Sequence, residues 1–432
     1  MNNRQKRTGI GRHAVAALIA LILAGICAGP APAAHAADAA AAISKPSRFV
    51  QDRFAIGFWV DPPLDEQADA RYQGIADANF TMIIGYSAGN DRKALDKQLA
   101  LCEKHDLKAV LFCSGMAPAD LPTGPACWGY ALRDEPSAAD FPALRAQVDG
   151  VRQARPGMLA YINLFPNYAS EKQLGTPSYD DYVARFINEV GVDVLSMDHY
   201  PIFKPDKADG RDNYCANLGV MRKQSLEAGI PFWNFFNTMP YGPHTDPTED
   251  QLRWQIYTSL TYGARGVLYF CYYTPVSPEF PKGGAILARD GERTRHWEQA
   301  RQINAGIKHL GPTLMKLTST DVRRITPESV PVEALKDTPI RDIARDAVDP
   351  PNDYLVGMFR HGDGRRAVMV TNYRFAYTAW PTVEFDAPLD QVKEVDKTTG
   401  NEIAVRDDSP EMPGVQVSLD AGEGRLFLMP PR

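Results

Sequence analysis

The chain has 432 residues, of which 44% are hydrophobic and 23% are charged, and it carries a formal net charge of −6. This is an ordinary globular composition, and the length suits two or three domains. Because the charge is negative and no long basic run follows the first dozen residues, the sequence argues against a nucleic-acid partner and against an anionic membrane partner.

Residues 1–36 have the pattern of a secretory signal peptide. Basic residues precede an apolar run at 14–29, and an A-x-A cleavage motif follows at 34–36. A membrane anchor is the weaker interpretation, because the apolar run is shorter than the ~20 residues that a membrane span needs. We therefore expect cleavage after Ala36, a flexible leader at 37–48, and a periplasmic or secreted protein that is not attached to a membrane.

The cysteines give no sign of a metal site. Five remain after removal of the signal peptide, and an odd number leaves at least one free thiol in an oxidising compartment. Cys113 and Cys127 lie near the ends of adjacent predicted strands and can be read either as a disulfide or as buried free thiols. No spacing matches C-x-x-C pairs or a zinc pattern of His and Cys, so we predict neither a metal nor a cofactor.

Eight short apolar runs predict the strands of a barrel. Helix-like segments such as 91–105 and 248–263 separate most of these runs, and this alternation is typical of a parallel sheet. Eight such units in about 250 residues favour a closed (β/α)8 barrel, which we assign to 49–322. The runs are 54–60, 80–86, 107–113, 127–132, 158–165, 192–197, 231–236 and 266–273.

The last part of the chain has a different pattern. Short strand-like runs follow one another between Gly, Asp and Pro turns, which is typical of an antiparallel sandwich. We assign this C-terminal β-sandwich to 323–432, with a linker rich in Pro and Asp near its start. The fold class is therefore α/β, a TIM barrel followed by an antiparallel β-sandwich.

In a barrel of this kind the active site lies at the carboxyl ends of the strands. Carboxylates follow only the first, fourth and sixth runs, while aromatic and amide residues fill most other positions. Aromatic rings stack on sugars, and a few polar groups then read the hydroxyls. No nucleophile elbow and no strand-ending Lys is present, which argues against acyl transfer and Schiff-base chemistry.

Glu135 is the candidate general acid. Glycoside hydrolysis needs a protonated carboxyl on one side of the bond and a second carboxylate on the other. Simple strand alternation puts Arg133 and Glu135 on one face and Asp134 on the other. Arg133 would lower the pKa of Glu135 and burial would raise it. The alternative is that Asp134 and Glu135 only cap the helix that follows.

Asp198 is the candidate second carboxylate by elimination, and its alternative role is to orient His199 or an arginine. Asp61 is a weaker third candidate, because it can equally cap the turn before two prolines. For His199 we predict contact with the substrate rather than a role as a base. The predicted substrate-binding residues are Trp59, Asp61, Tyr86, Asp134, Asn163, His199, Tyr200, Trp233, Asn237 and Tyr272.

Several segments resemble known glycosidases. The run GYALRDEP resembles the strand-four acid/base motif of clan A glycoside hydrolases, where Asn-Glu-Pro is usual. The segments PFWNFFNTMPYG and LRWQIYTSLTYGARGVLYFCYYTP are similar to strands seven and eight of β-galactosidase-like proteins in or near family 42, and ARQINAGIKHLGPTLMKL and LDAGEGRLFLMP are similar to their later segments. The resemblance covers about residues 50–430.

The resemblance implies that Glu135 is the acid/base residue. It also implies a nucleophilic Glu at the end of strand seven, where this sequence offers only Asn234 and Asn237. Either the second carboxylate has moved to Asp198, or hydrolysis has been lost, or the boundary drawn for strand seven is wrong. The leading hypothesis is an exported glycosidase with a carbohydrate substrate, exo-acting on a β-linked sugar such as galactose. The alternatives are a glycan-binding protein on a degenerate barrel, and a scaffold whose sandwich binds a partner.

Overall fold

The computed structural model describes residues 47–280, 284–344, 353–407, 409–411 and 413–432. The predicted signal peptide and nearly all of the predicted leader lie outside the described residues. Within these ranges, no helix has both the length and the apolar character that a bilayer crossing requires.

Eight parallel strands confirm the predicted barrel. From β2 to β8 each strand pairs with the next strand in chain order, and β8 pairs with β1. The seam between β1 and β2 is joined by a bond from Thr81 N to Ile56 O of 2.9 Å and by one from Ile56 N to Thr81 Oγ1 of 2.8 Å. The strands are β1 Ala55–Phe58, β2 Met82–Gly85, β3 Lys108–Phe112, β4 Cys127–Asp134, β5 Leu159–Leu164, β6 Leu195–Asp198, β7 Phe232–Asn237 and β8 Gly266–Phe270.

Helices cover the outside of the barrel except between β3 and β4. There the segment SGMAPADLPTGPA forms only a short 3-10 turn at Pro118–Asp120, because its prolines and glycines oppose a longer helix. A cavity of about 450 Å³ lies beside this turn, between the end of β3, β4 and α3. The helices are α1 Ala68–Asp77, α2 Arg92–Lys104, α3 Phe141–Ala154, α4 Glu171–Leu174, α5 Tyr179–Val190, α6 Arg211–Ala228, α7 Glu249–Thr261 and α8 Arg295–Leu314.

The helix ends follow local sequence signals. Ser178 and Thr248 accept backbone N–H bonds at the starts of α5 and α7, which satisfies donors that have no partner inside the helix. Gly191 and Gly229 end α5 and α6 in the left-handed conformation that glycine adopts without strain. These short, well-defined connections set the positions at which the strands end.

The inside of the barrel is filled by alternate residues of the strands. We call the end at which the strands finish the mouth and the opposite end the floor. At the floor, Trp128 stacks on Trp233 with ring centroids 6.0 Å apart, and Phe49 contacts Trp128 at 5.6 Å. The indole N–H of Trp233 donates to Gln51 Oε1 at 3.0 Å. The segment before β1 therefore closes the floor.

The second domain is an antiparallel sandwich of a six-stranded and a three-stranded sheet. Its first strand, β9, pairs with β11 from Leu317 to Ile325, so the predicted boundary after residue 322 falls inside a strand and the domain begins at Leu317. A short helix, α9, spans Pro331–Ala334. The strands are β9 Leu317–Ile325, β10 Ile340–Ala344, β11 Tyr354–His361, β12 Arg366–Asn372, β13 Thr382–Phe385, β14 Lys393–Val395, β15 Glu402–Ala404, β16 Val415–Gln416 and β17 Gly424–Met429.

The five cysteines of the described chain are free thiols. Cys113 follows the mouth end of β3, whereas Cys127 begins β4 at the floor, so the pairing considered from the sequence does not form. Burial raises the pKa of Cys113 to about 12 and that of Cys127 to about 11. Both thiols are therefore protonated and unreactive at neutral pH.

Candidate active site

The end of β4 contains a bulge that decides which side chains face the mouth. Ala131 lies opposite Tyr161 of β5, but the register then shifts, so that Asp134 lies opposite Asn163. A bulge of this kind places one extra residue on one strand and reverses the alternation beyond it. The predicted alternation is therefore wrong at this point, because Asp134 shares the inward series of Asn163.

Glu135 follows the bulge in a strained conformation. Its φ is 44°, its N–H donates to Asn163 O at 2.9 Å, and Pro136 comes next. Non-glycine residues held at positive φ concentrate at functional sites. Burial, and then the charge of Asp134, raise the pKa of Glu135 to about 7. A carboxyl with this pKa can give and take a proton near neutral pH.

The helix after Glu135 has its own caps. Ser137 accepts the N–H of Ala139, and its own N–H donates to Asp140 Oδ2 at 3.0 Å. These two residues form a capping box, which satisfies the helix start without Asp134 or Glu135. The alternative interpretation of the two acidic residues as helix caps is therefore wrong.

Asn163 joins two carboxyls of the site. Its Nδ2 donates to Asp134 Oδ1 at 3.2 Å and to Asp198 Oδ1 at 2.9 Å, which uses both amide hydrogens. Its Oδ1 accepts from Ser196 Oγ at 3.0 Å, and the hydroxyl of Tyr161 lies 2.9 Å from that Oγ. Asn163 is buried, so it holds the two aspartates rather than presenting a free group to a sugar.

Asp198 ends β6 as a buried carboxyl. Burial is the main cause that raises its pKa well above the usual value, and the charges of Glu135 and Asp134 add to it. Hydrogen bonds from Asn163 and Tyr200 act in the opposite direction. Three carboxyls thus influence one another at the mouth, and like charges so close do not all ionise together.

Aromatic rings surround these carboxyls. Tyr86 is 54% exposed and contacts Phe112 edge-on at 5.3 Å. Tyr200 contacts Phe270 at 5.3 Å and Tyr241 at 5.8 Å between ring centroids. Trp59 lies partly buried against the same inward cluster as Phe112 and Phe270. The mouth therefore offers several ring faces and edges of the kind that sugar rings contact.

Four of these aromatic residues were missed in the sequence: Phe112, Tyr168, Tyr241 and Phe270. Phe270 is two residues beyond the inward Leu268, so period-two counting along β8 identifies it. Tyr168 comes from the loop after β5, is 51% exposed and packs on His199 at 5.0 Å. No local pattern marks such a loop residue.

Two predicted aromatic contacts lie away from the mouth. Trp233 is the second residue of β7 and is buried at the floor, where Trp128 and Gln51 cover it. Tyr272 is buried behind the barrel wall and stacks on Phe58 at 4.4 Å. Both predictions are wrong, because each ring fills a core that no substrate reaches.

Asp61 is also a structural residue. Its Oδ1 accepts from the N–H groups of Tyr86 and Ser87 at 2.6 and 2.8 Å, and its Oδ2 accepts from Tyr72 OH at 3.1 Å and from Gln98 Nε2 at 2.5 Å. The carboxyl is buried and fully bonded. It fastens the end of β1 to the end of β2, and the prediction of a sugar contact is wrong.

His199 and Asn237 lie near the carboxyls. His199 Nδ1 lies 2.9 Å from Asn217 Oδ1, and burial lowers its pKa to about 4, so the ring is neutral at physiological pH. Asn237 ends β7 in the inward series, and its Oδ1 accepts from Ile202 N at 3.4 Å. Its buried Nδ2 has no hydrogen-bond partner among the described residues, which makes it an available donor.

The polar groups of the mouth do not form a metal site. In the described ranges, no group of three or more His, Cys, Asp or Glu residues has the arrangement to hold a metal ion. Asn234, the other amide of β7, donates to Tyr214 OH at 2.6 Å and to Ser259 Oγ at 3.0 Å on the helix side of the wall. Asn234 therefore faces away from the mouth.

A scan against protein-family models finds no match, and neither does a comparison with curated proteins. Solved structures do match. The beta-galactosidase from Bacillus circulans sp. alkalophilus is 11% identical with a TM-score of 0.53, over 87% of this chain and 99% of that chain. A catalytic mutant of Gan42B, a GH42 beta-galactosidase from G. stearothermophilus, is 9% identical with a TM-score of 0.55, over 88% and 98%.

A shorter match is the beta-galactosidase from the psychrophilic Marinomonas ef1, which is 11% identical with a TM-score of 0.45. The match covers 59% of this chain and 60% of that chain, so the chain spans about three fifths of that relative. The two longer matches extend through barrel and sandwich. The chain therefore shares its fold with GH42 beta-galactosidases and related barrel glycosidases.

Proposed function

We propose that this protein is a glycoside hydrolase that removes a β-linked sugar from the end of a glycan, with Glu135 as its acid/base residue. The observation that carries the proposal is the position of Glu135: a half-buried carboxyl with a pKa of about 7 at the mouth of a barrel lined by aromatic rings. A general acid for glycosidic cleavage needs this combination of access, partial burial and proton affinity.

In the reaction, Glu135 gives its proton to the oxygen of the leaving group as the bond from C1 to that oxygen breaks. Positive charge then develops on the sugar ring, and a neighbouring ionised carboxylate, Asp134 or Asp198, favours it. Ionised Glu135 next takes a proton from the attacking water. Asp198, the partner predicted from the sequence, is held by Asn163 and Tyr200 and is the first candidate to test.

The sugar is held by the rim. Trp59, Tyr86 and Tyr241 present aromatic surface to it. A β-galactoside is the first substrate to try, since the similar solved structures are those of beta-galactosidases. Export to the periplasm or medium is part of the proposal and rests on the signal-peptide pattern of 1–36.

The test is a set of chromogenic glycosides measured beside calorimetric binding of the same sugars. Turnover that is lost in Glu135→Gln, with sugar binding retained, supports the proposal. Glu103→Gln is the matched control, because Glu103 is exposed on α2, outside the mouth. Binding of sugars without turnover of any glycoside supports the glycan-binding alternative, and neither binding nor turnover contradicts both.

A further inference from the structure

Among the described residues, the end of β7 supplies no carboxylate that could act as a nucleophile. Strand β7 ends in Asn237, and Asp198 is buried beneath hydrogen bonds from Asn163 and Tyr200. A double displacement needs a free carboxylate that approaches C1 from the face opposite the acid. Some glycosidases instead use a carbonyl oxygen of the substrate itself as the nucleophile. Positive charge then develops on the acyl group, so a carboxylate beside that group stabilises the intermediate.

Asp134 meets that second requirement. The bulge in β4 places it next to Glu135 and in the inward series. It is exposed at the mouth, and Asn163 fixes its Oδ1, while within the described chain no donor bonds its Oδ2. Desolvation by its neighbours raises the pKa of Asp134, while the hydrogen bond from Asn163 and the charge of Arg133 act in the opposite direction. Asp134 is thus an anchored carboxyl with one oxygen free.

We propose that the substrate carries an acetamido group on C2, that its carbonyl oxygen attacks C1, and that the free oxygen of Asp134 accepts the acetamido N–H. The proposal rests on the proposed glycosidase function and names the substrate class of the same site. A 2-acetamido-2-deoxy-β-glucoside or -galactoside has the required group. Glu135 remains the acid, and Asp198 becomes a neutral group that positions Asp134 through Asn163.

The two steps balance without a co-reactant. First, the acetamido oxygen bonds to C1, the bond from C1 to the leaving oxygen breaks, and the Glu135 proton passes to that oxygen. The acetamido group becomes part of a five-membered cyclic cation. Asp134 stabilises this cation by accepting a hydrogen bond from the acetamido N–H. Water then adds to C1, its proton passes to Glu135, and the ring opens to restore the acetamido group. One water is consumed and the anomeric configuration is retained.

The apolar side of the mouth suits the acetamido methyl. Tyr200, Tyr241 and Phe270 pack against one another beside the carboxyls, with Trp59 in the adjoining apolar cluster. A methyl group gains by leaving water for such surface, whereas a hydroxyl in the same place loses hydrogen bonds. The carboxyls next to this cluster also favour the positive charge of the cyclic intermediate.

The first experiment compares 4-nitrophenyl β-glycosides that differ only at C2. We expect kcat/KM for the 2-acetamido glucoside or galactoside to exceed that of the plain glycoside by about 10²-fold or more. A trifluoroacetamido substrate should react much more slowly, because its carbonyl oxygen is a poor nucleophile. Equal turnover of the plain glycoside overturns the inference but leaves the hydrolase function standing. No turnover of any glycoside removes the hydrolase function itself.

The second experiment compares two matched variants. Asp134→Asn should lower kcat on the acetamido substrate by about 10²-fold or more, because the cyclic cation loses its counter-charge. Asp198→Asn should cost less than about tenfold, because an amide replaces a neutral acid of the same shape. The reverse order makes Asp198 the second carboxylate and overturns the inference.

A binding measurement gives a readout that does not depend on turnover. The thiazoline derivative of N-acetylglucosamine is a stable analogue of the cyclic intermediate, and such analogues bind more tightly than substrates. We expect calorimetry to show tight binding to the unaltered protein and at least about tenfold weaker binding to Asp134→Asn. Equal affinity for both proteins contradicts the role of Asp134.

Discussion

The two ends of the barrel differ in how completely the polar groups of their inward residues are hydrogen-bonded. At the floor, Trp233 is fully buried against Trp128, and its N–H is bonded to Gln51. Four residues later on the same strand, Asn237 reaches the mouth with a buried donor that has no partner in the described chain. One strand therefore supplies a closed core at one end and an available polar group at the other, as barrel enzymes require.

Backbone strain separates the two ends in the same way. Two non-glycine residues with positive φ, Asn79 and Asp106, lie in the loops that enter β2 and β3 at the floor, and their types tolerate this conformation. At the mouth the residues are Val60 and Glu135, with φ of 62° and 44°. A β-branched or long side chain pays more for this geometry, so the strain lies where the proposed chemistry occurs.

The largest expected effect comes from removing the acid at the mouth. Glu135→Gln should lower kcat on the cleaved substrate by about 10²–10⁴-fold, because it removes the proposed proton donor. Steady-state kinetics with 4-nitrophenyl and 2,4-dinitrophenyl glycosides checks this prediction. The 2,4-dinitrophenyl group is the better leaving group and needs less protonation, so kcat on that substrate should fall less. An equal loss with both leaving groups would indicate that Glu135 acts on binding or folding instead.

At the floor, the expected effect is on stability. Trp233→Ala should lower the free energy of unfolding by about 3–5 kcal/mol, because it removes a fully buried ring from a packed cluster. Urea unfolding followed by circular dichroism measures the change. At a temperature where the variant is folded, sugar affinity should be unchanged. A direct loss of sugar binding would show that Trp233 contacts the sugar, and the two ends of the barrel would then not differ in function.

Trp59 at the mouth should behave in the opposite way. Because it lies partly buried at the rim, Trp59→Ala should weaken sugar binding by about 1–2 kcal/mol, a typical loss for an aromatic contact residue. Its effect on unfolding should be smaller than that of Trp233→Ala. Calorimetric titration with the cleaved sugar and urea unfolding, run on both variants, give the comparison. A stability loss equal to that of Trp233→Ala would show that Trp59 is a core residue.

The sequence predicted the barrel because its strands read as apolar runs separated by helices, and the mouth residues because they end those runs. The prediction for Trp233 was wrong because Trp233 is the second residue of its strand and therefore lies at the floor. Tyr272 failed because the eighth run continues past the strand end at Phe270. Trp233 was therefore misplaced by its height along the barrel, whereas Tyr272 lies beyond the strand, where strict alternation no longer decides which face a side chain takes.

Other features had no local signal. The bulge that turns Asp134 inward appears only in its pairing with β5. The burial of Asp61 depends on Tyr72 and Gln98 from two different helices, which no window around Asp61 contains. Long-range contacts of this kind decide whether a carboxyl at a strand end is structural or chemical, and for that reason one acidic prediction failed while Glu135 and Asp198 reached the mouth.

The smallest expected effect is a pH-dependent change in the free energy of unfolding, caused by Glu135 at the mouth. The floor variant Trp233→Ala should show no such pH dependence. The pKa of Glu135 rises from 4.5 to about 7 on folding, so the folded state holds this proton more tightly than the unfolded state. Stability from this group is complete below pH 4.5 and is lost as the pH rises towards 7. Glutamine does not titrate, so Glu135→Gln does not lose stability as the pH rises. After allowance for solvent screening, the variant should be more stable than the parent by about 1 kcal/mol at pH 8. At pH 4.5 the two proteins should be nearly equal in stability. Urea unfolding at both pH values measures it, and a difference that does not grow with pH would mean that the carboxyl is not held in its neutral form.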